Sequence, residues 1–438
     1  MIKVRNIRGF EKQLFNIIVR LKVLFYFIPE IRKISIKRFF VFLRRLLYFF
    51  SKLQENKFVK IGKYTRTDLY VSGFPSTAFY TACKKLMTFD EKLPAITVLI
   101  SVTSACRFNC EYCYQKKDIG KDIAIEKIVD VVNRLQDMGI AFFNIEGGEP
   151  FLAFDRLKKV CEVIDKRSEV WVNSTGDGMT IERLRELKGL NLTAIMFSMH
   201  SPYPEELNRF MKSEKAWETM AKGIELCHQA DIPIAINSCL PKEAFYNGDF
   251  ERIMEQAKEF NASIIQLIKP KSAGGWIEKE LEKLTQQDVL RIKEVVNKYN
   301  THSKYKDYPS ISAQMIEEDK ERFGCTAGGT DRFYINAKGD VQPCEFLNIS
   351  FGNIDVEDFN IIYKRMRECF KTPGECWLCE RYSQDIFKIF TEKGLKTLPL
   401  TKELSKEIYL NWDRGKPTQL YAVMEKRKNR LTTKTQKL

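Results

Sequence analysis

The chain has 438 residues, of which 44% are hydrophobic and 29% charged, and twelve are cysteine. That length leaves room for a large core and more than one domain. Twelve cysteines without a secretory cleavage pattern exclude a disulfide framework and point to thiols kept reduced in the cytosol for metal binding. The formal charge of +15 is concentrated at the ends. Residues 1 to 58 hold fourteen Lys/Arg against three Glu, residues 424 to 438 six against one, and everything between is close to neutral.

Residues 8 to 28 place Arg8, Lys12, Asn16, Arg20 and Lys22 opposite Leu14, Phe15, Ile18, Leu21 and Phe25, which predicts an amphipathic helix ending at Pro29. Residues 31 to 57 repeat the arrangement, with Arg32, Lys33, Lys37, Arg38, Arg44, Arg45 and Lys52 opposed to Phe39, Phe42, Leu43, Leu46, Phe49 and Phe50. A basic face against a Phe/Leu face suits a helix lying on an anionic membrane surface, and it equally suits a helical hairpin packed on the body with its charges solvated. The apolar run from Leu14 to Ile28 is broken by Arg20 and Lys22 and is too short to span a bilayer. Nucleic acid is not expected, because the aromatics gather on the apolar face instead of alternating with the charges. Residues 59 to 93 read as a short helical lead-in.

From Ala95 onward apolar runs rich in β-formers alternate with helical patterns. Strands are expected near 96–102, 142–146, 169–174, 193–199, 232–239 and 263–268, and helices near 123–138, 154–166, 180–188, 214–230 and 249–260. Six strands with intervening helices imply parallel pairing through right-handed crossovers, hence an α/β partial (β/α)6 barrel over residues 94–277. Chemistry is then expected at the C-terminal ends of the strands. Ser174, Ser198, His200 and Asn237 fall there, and His200 reads either as a proton donor or as a loop-capping residue. No catalytic side chain is assigned beyond that candidate. Residues 265–276 end in Pro270, Gly274 and Gly275, a turn expected to close over one end of a bound cofactor.

Directly after the first barrel strand, Cys106, Cys110 and Cys113 stand in CxxxCxxC spacing with Tyr112 before the last, and Gly147, Gly148, Glu149 and Pro150 end the second strand. Three close thiolates suit an iron–sulfur cluster with one iron left open; a zinc site is the alternative for such spacing. With both motifs in this order, residues 94 to 270 resemble the radical S-adenosylmethionine (radical SAM) enzymes. The resemblance implies that Cys106, Cys110 and Cys113 hold a 4Fe–4S cluster whose open iron chelates S-adenosylmethionine. It also implies that the Gly147–Pro150 segment meets the methionyl amino group, with Glu149 accepting from it, and that Ser198 or a neighbour such as Ser174 or Asn237 meets the ribose.

Residues 278–322 read as a charged helical connector. At Cys325 the composition changes: Asn336 to Asp340 form a turn between short strands, Cys344 follows, then Cys369 and the pair Cys376 and Cys379. Residues 323–385 resemble the SPASM or twitch domains that hold auxiliary clusters, with 386–438 as a helical segment and basic tail. Five cysteines imply one auxiliary 4Fe–4S cluster, on Cys325, Cys344, Cys376 and Cys379 with Cys369 able to replace one of them; a zinc ribbon on the same residues is the alternative. The other four cysteines, Cys83, Cys161, Cys227 and Cys239, read as small buried hydrophobes.

These readings converge on an enzyme that cleaves S-adenosylmethionine reductively, fed by a reductant such as ferredoxin or flavodoxin, to form a 5′-deoxyadenosyl radical that abstracts hydrogen. A membrane-associated lipid or precursor is the substrate suggested by the basic N-terminus, which implies a cytoplasmic protein attached peripherally. A peptide or protein substrate is the alternative that SPASM-bearing enzymes suggest. A membrane-attached electron-transfer or scaffold protein is the rival class.

Overall fold

A computed structural model describes residues 4–53, 56–89, 94–370 and 373–422. The basic tail at 424–438 lies outside the described residues.

Strands β1 (Val4–Ile7), β2 (Phe58–Ile61) and β3 (Tyr64–Arg66) form a small antiparallel sheet. The main sheet is built from β4 (Thr97–Ser101), β5 (Phe142–Glu146), β6 (Glu169–Ser174), β7 (Leu192–Ser198), β8 (Ile234–Cys239), β9 (Ile264–Ile268), β10 (Ser310–Ala313), β11 (Arg332–Ile335) and β12 (Val341–Gln342). Its order is β10-β9-β8-β7-β6-β5-β4-β11-β12. All neighbours are parallel except the β11–β12 hairpin, whose turn places Gly339 at φ +93°.

The six expected strands and their five helices (Ile125–Asp137, Phe154–Val163, Ile181–Leu190, Ala216–Gln229 and Asp249–Glu259) are all present. Along each strand alternate side chains point to opposite faces. Val98, Ile100, Phe143, Ile145, Val170, Val172, Ile195 and Phe197 pack under the helices in the main core. The concave face divides by height. Its lower layer, Phe142, Trp171, Ala194, Met196, Ala235 and Ile264, is apolar and packs against Val59 and Leu69. Its upper layer is polar: Asn144, Glu146, Asn173, Ser198, Asn237 and Gln266 line a cavity.

Three features depart from the sequence expectation. The lead-in is a plug: Val59 and Leu69 fill the barrel bottom, and a buried Arg66–Glu169 ion pair seals it, with Gly73 N donating to Glu169 Oε1 at 2.7 Å. The segment 278–322 is helical only at Gln286–Thr301 and in short turns; its SISA stretch becomes β10, too short and polar to read as a strand, aligned on β9 by Asn300 bonding both sides of Ile311. The cysteine-rich module does not stand apart, since β11 pairs in register with β4 and extends the barrel sheet.

The N-terminal helices span Gly9–Tyr26 and Ile36–Lys52, shorter than expected, and Pro29 lies in a separate turn at Ile28–Ile31. They pack in a second core in which Val19, Val23, Phe27, Phe42, Leu46 and Phe50 meet Phe74, Phe79 and Leu86. The first helix is turned opposite to its simple amphipathic reading. Asn16 is buried, Lys12 reaches inward to the Asn56 carbonyl, and Leu14, Ile18, Leu21 and Phe25 are exposed.

Candidate active site

The loop after β4 carries Cys106, Cys110 and Cys113 to the rim of the polar cavity, where all three line it. Its base is fixed by Asp122, which accepts from Thr103 Oγ1 at 2.7 Å and from Ser104 N and Oγ at 2.9 and 2.7 Å. Burial pushes the Cys106 thiol up to about 11 and the Cys113 thiol to about 12. Metal loading must therefore displace protons from them.

The Gly147–Pro150 segment lies against this base. Gly148 N donates to Thr103 O at 2.8 Å and Glu149 N to Ala105 O at 2.7 Å. A Cβ on Gly147 would stand 2.5 Å from Thr103 O, and one on Gly148 2.3 Å from Ala105 O. The two glycines are needed here because two backbones touch. Glu149 is fully buried and its carboxylate is saturated by Phe151 N, Ser174 Oγ, Thr175 N and Thr175 Oγ1 at 2.6–3.1 Å. Glu149, with Ser174 as a donor, thus brackets the end of β6 to the end of β5; the Glu149 oxygens are taken up within the fold instead of facing a cofactor ammonium, and the Ser174 hydroxyl is taken up by Glu149 and Gly176 N instead of facing a ribose. Pro150 begins the short helical turn that follows.

Tyr112 points inward and is held by His200. Cys239 N donates to His200 Nδ1 at 3.0 Å, so the proton sits on Nε2 and is donated to the Tyr112 hydroxyl at 2.8 Å. The Tyr112 hydroxyl hydrogen is then directed to the Cys110 sulfur. Burial drops His200 to about 3, which keeps it neutral across the physiological range. It is a positioning residue for the cysteine loop, and the proton-donor reading does not fit its bonding.

Sequence reasoning missed three contributors. Phe210, on the unexpected helix Pro204–Met211, stacks on Tyr112 with centroids 4.5 Å apart, and Met211 O faces Cys110 Sγ at 3.3 Å. Gly274 and Gly275, expected over a cofactor, instead clamp the cysteine loop: Gly275 N donates to Cys113 O at 3.0 Å, and a Cβ there would lie 2.0 Å from Glu111 O. The clue was the GG pair, whose partner segment lay over 150 residues away in sequence. Glu146, directly before Gly147, also lines the cavity, and nothing in its local sequence sets it apart from the motif.

The cavity measures about 480 Å³. Ser198 and Asn237 are register partners at the ends of β7 and β8, so a hydroxyl and an amide stand side by side on its wall. On the opposite side Glu345 and Phe346 enter from beyond β12, and Tyr70 of the plug reaches up to bond Gln266.

The family model for the Radical SAM superfamily matches residues 100–257, and that for an iron–sulfur cluster-binding domain, SPASM, matches residues 325–381. The chain carries a radical SAM domain followed by a SPASM domain. An AdoMet-dependent heme synthase of Nitratidesulfovibrio vulgaris is 21% identical over 319 residues, covering 67% of this chain and 87% of the relative. A PqqA peptide cyclase of Rhizobium meliloti is 22% identical over 315 residues, covering 68% and 83%. Among solved structures, Streptococcus suis SuiB bound to S-adenosylmethionine aligns with a TM-score of 0.54 at 14% identity over 70% of this chain and 77% of that one. SuiB bound to its precursor peptide SuiA gives 0.53 at 15%, over 68% and 74%. These share the fold.

The radical SAM domain makes the chain an enzyme and implies a 4Fe–4S cluster and S-adenosylmethionine; the SPASM domain implies auxiliary iron–sulfur. Three thiols on one loop that line the same cavity as a polar wall fit the first two. In the SPASM domain Cys325, Cys344 and Cys379 line one small cavity with Glu318, Arg332 and Lys271. Cys376, on the other side of Trp377, accepts from Arg381 Nη1 at 3.2 Å, and Cys369 ends the helix Phe359–Cys369; neither lines that cavity. The domain is fastened to the barrel by Glu380, which meets Lys269 and Lys271 at 3.0 and 2.8 Å, and by Lys271 lying 3.3 Å over the Trp377 ring.

Proposed function

We propose that this protein is a peptide- or protein-modifying radical SAM/SPASM enzyme. When bound, the cluster and S-adenosylmethionine supply a 5′-deoxyadenosyl radical. The chain's own residues do the rest: the cysteine loop and its aromatic brace fix the cluster position, Ser198 and Asn237 offer contacts to the nucleoside, and the plug and SPASM domain exclude water from below and beside the cavity. The observation that carries the substrate reading is that SPASM residues Glu345 and Phe346 form part of the cavity wall, so the auxiliary domain helps to shape what enters. The peptide cyclase relative and the precursor-peptide-bound fold neighbour support it. Anaerobic peptidomics of cells with and without the gene tests it: a peptide mass change confined to gene-bearing cells is expected. Changes restricted to the lipid or small-metabolite extracts would overturn it.

A second reading, attachment to an anionic membrane where a lipid or membrane-bound precursor is modified, is favoured by one observation. Phe10, Leu14, Ile17, Ile18, Leu21 and Phe25 form an exposed apolar stripe on the first helix, with Lys22 beside them. No helix among the described residues is long and apolar enough to cross a membrane. Ile17→Glu with Leu21→Glu should abolish sedimentation with anionic liposomes at low salt. Failure of the unmodified protein to bind such liposomes would end this reading.

A further inference from the structure

Five buried side-chain oxygens on the cavity wall lack a hydrogen-bond donor; Asp118 Oδ1 is met by Lys338 as an ion pair, which leaves Asn144 Oδ1, Glu146 Oε1, Asn173 Oδ1 and Asn237 Oδ1. Asn237 stands with Ser198 and belongs to the nucleoside side. The other three are neighbours. Asn144 and Glu146 are two residues apart on β5 and share a face, and Asn173 on β6 donates its Nδ2 to Glu146 Oε2 at 3.0 Å, which turns its own oxygen away from that carboxyl. Asn144 is 3% exposed and Glu146 6%. Buried polar atoms are almost always paired, so a group of unmet acceptors marks the place of a ligand that brings donors.

The charges around this group narrow the ligand's chemistry. Glu146 accepts from the Tyr114 hydroxyl of the cysteine loop and from Asn173 Nδ2, with Oε1 left without a partner, and it is faced by Tyr334 of β11 and by the Glu345 carboxyl from beyond β12. No Lys or Arg pairs with Glu146 among the described residues. Glu345 accepts from the Cys344 thiol at 3.1 Å, and its one cationic neighbour among the described residues is Arg332 Nε at 3.9 Å, whose guanidinium is already paired with Glu318. Lys116, Lys269 and Lys271 line the same cavity, but Lys269 and Lys271 are paired with Glu380 and Lys116 with Asn109, and none pairs with Glu146 or Glu345 among the described residues.

We propose that Asn144, Glu146 and Asn173, with Glu345 opposite, form the subsite for a cationic donor group of the substrate, an ammonium or guanidinium such as a lysine or arginine side chain presents. This rests on the reading that the cavity is the substrate site of a radical SAM enzyme. Burial and the Glu345 charge hold the Glu146 carboxyl up at about 8, so near neutrality the empty site keeps a proton there, and an arriving cation takes that proton's place.

The test uses the reconstituted holoenzyme with S-adenosylmethionine bound, under anaerobic calorimetry, with n-butylammonium and methylguanidinium chloride as probes and butanamide as the neutral control. At least one cation is expected to bind tenfold or more tightly than butanamide. Its heat should vary with buffer ionisation enthalpy, reporting up to one proton released per cation at pH 7. Glu146→Gln should remove the cation preference, and Glu345→Gln should weaken it. Equal affinity for amide and cations, no saturable cation binding, or binding without proton release would overturn the proposal. Displacement of the probe by S-adenosylmethionine would assign the oxygens to the cofactor and overturn it as well. Should Glu146→Gln fail to fold, the cation preference and proton release of the unmodified enzyme decide alone. Radical chemistry is scored separately as 5′-deoxyadenosine, so its absence beside intact cation binding would count against the enzyme reading and not against the subsite.

Discussion

His200 and Glu146 show how burial moves two titrating groups in opposite senses, and each has a pH signature. His200 is held near 3 by desolvation, so its neutral form is stabilised in the fold. Below the ordinary histidine pKa the unfolded chain takes up a proton that the fold refuses, and stability falls as pH drops from about 6.5 toward 3. Glu146 is raised to about 8, so its contribution is fully present below the ordinary glutamate pKa and is lost as pH rises through 8. Relative to the unmodified protein, Glu146→Gln should therefore gain thermal stability as pH rises from about 4.5 to 8, by a few kcal/mol at most. His200→Gln should lose the acid-side slope. Both are read from melting temperatures across pH. His200→Gln should also retain measurable S-adenosylmethionine cleavage, since the side chain positions Tyr112 and does not itself transfer the proton.

The cysteine loop is a segment whose shape is imposed largely from outside. It has no helix or strand of its own between Ser101 and Ile125; its own Asp122 ties the base, and Gly148, Phe210 with Met211, and Gly275 hold it from three other segments. Gly275→Ala would place a methyl 2.0 Å from Glu111 O, a backbone atom that cannot swing away. The expected cost is about 1–3 kcal/mol of overpacking, concentrated on the loop. The measurable outcome is reconstituted protein that keeps its auxiliary iron but loses iron and 5′-deoxyadenosine formation in proportion. Substituting Cys106, Cys110 and Cys113 together by Ala should give the same iron content and no cleavage at all. If Gly275→Ala loads fully, the clamp is not needed.

Three parts of the chain far apart in sequence close one cavity. The plug fills the bottom, Glu345 and Phe346 from beyond β12 form one wall, and β5 to β9 with the cysteine loop form the rest. Removing residues 1–58 strips β1 and Phe58 from the small sheet that carries Val59, and should therefore loosen the plug and destabilise the barrel, beyond any effect on membrane attachment. In the SPASM domain, Cys325, Cys344 and Cys379 share a cavity, and a 4Fe–4S cluster held there would draw its fourth thiolate from Cys376 or Cys369. Total iron near two 4Fe–4S units per chain is expected on one auxiliary cluster, about eight irons. Cys344→Ala should halve that figure, whereas Cys376→Ala and Cys369→Ala should separate the true fourth ligand from the spare. A value near twelve would require a second auxiliary cluster.

The six barrel strands, their helices, the cysteine spacing and the β11–β12 turn were legible because each is encoded within a few residues: apolar periodicity, CxxxCxxC, and a glycine at positive φ. The faces of those strands were not. A parallel sheet is buried on both sides, so its pattern does not tell which side is core and which is cavity; the polar upper layer at Asn144, Glu146 and Asn173 emerges only once the barrel curves. The hydrogen bond between Ser101 and Tyr334 spans 233 residues, and the Arg66–Glu169 pair 103. Such pairings carry no local trace. The motif residue Glu149 was visible, yet three of its four donors come from Ser174 and Thr175 at the end of β6, which only folding brings to it, and the unmet Oε1 of Glu146 is defined by what does not reach it. Local patterning is set by the chain's own neighbours, whereas which acceptors remain unpaired is set by packing among segments that are remote until the barrel forms.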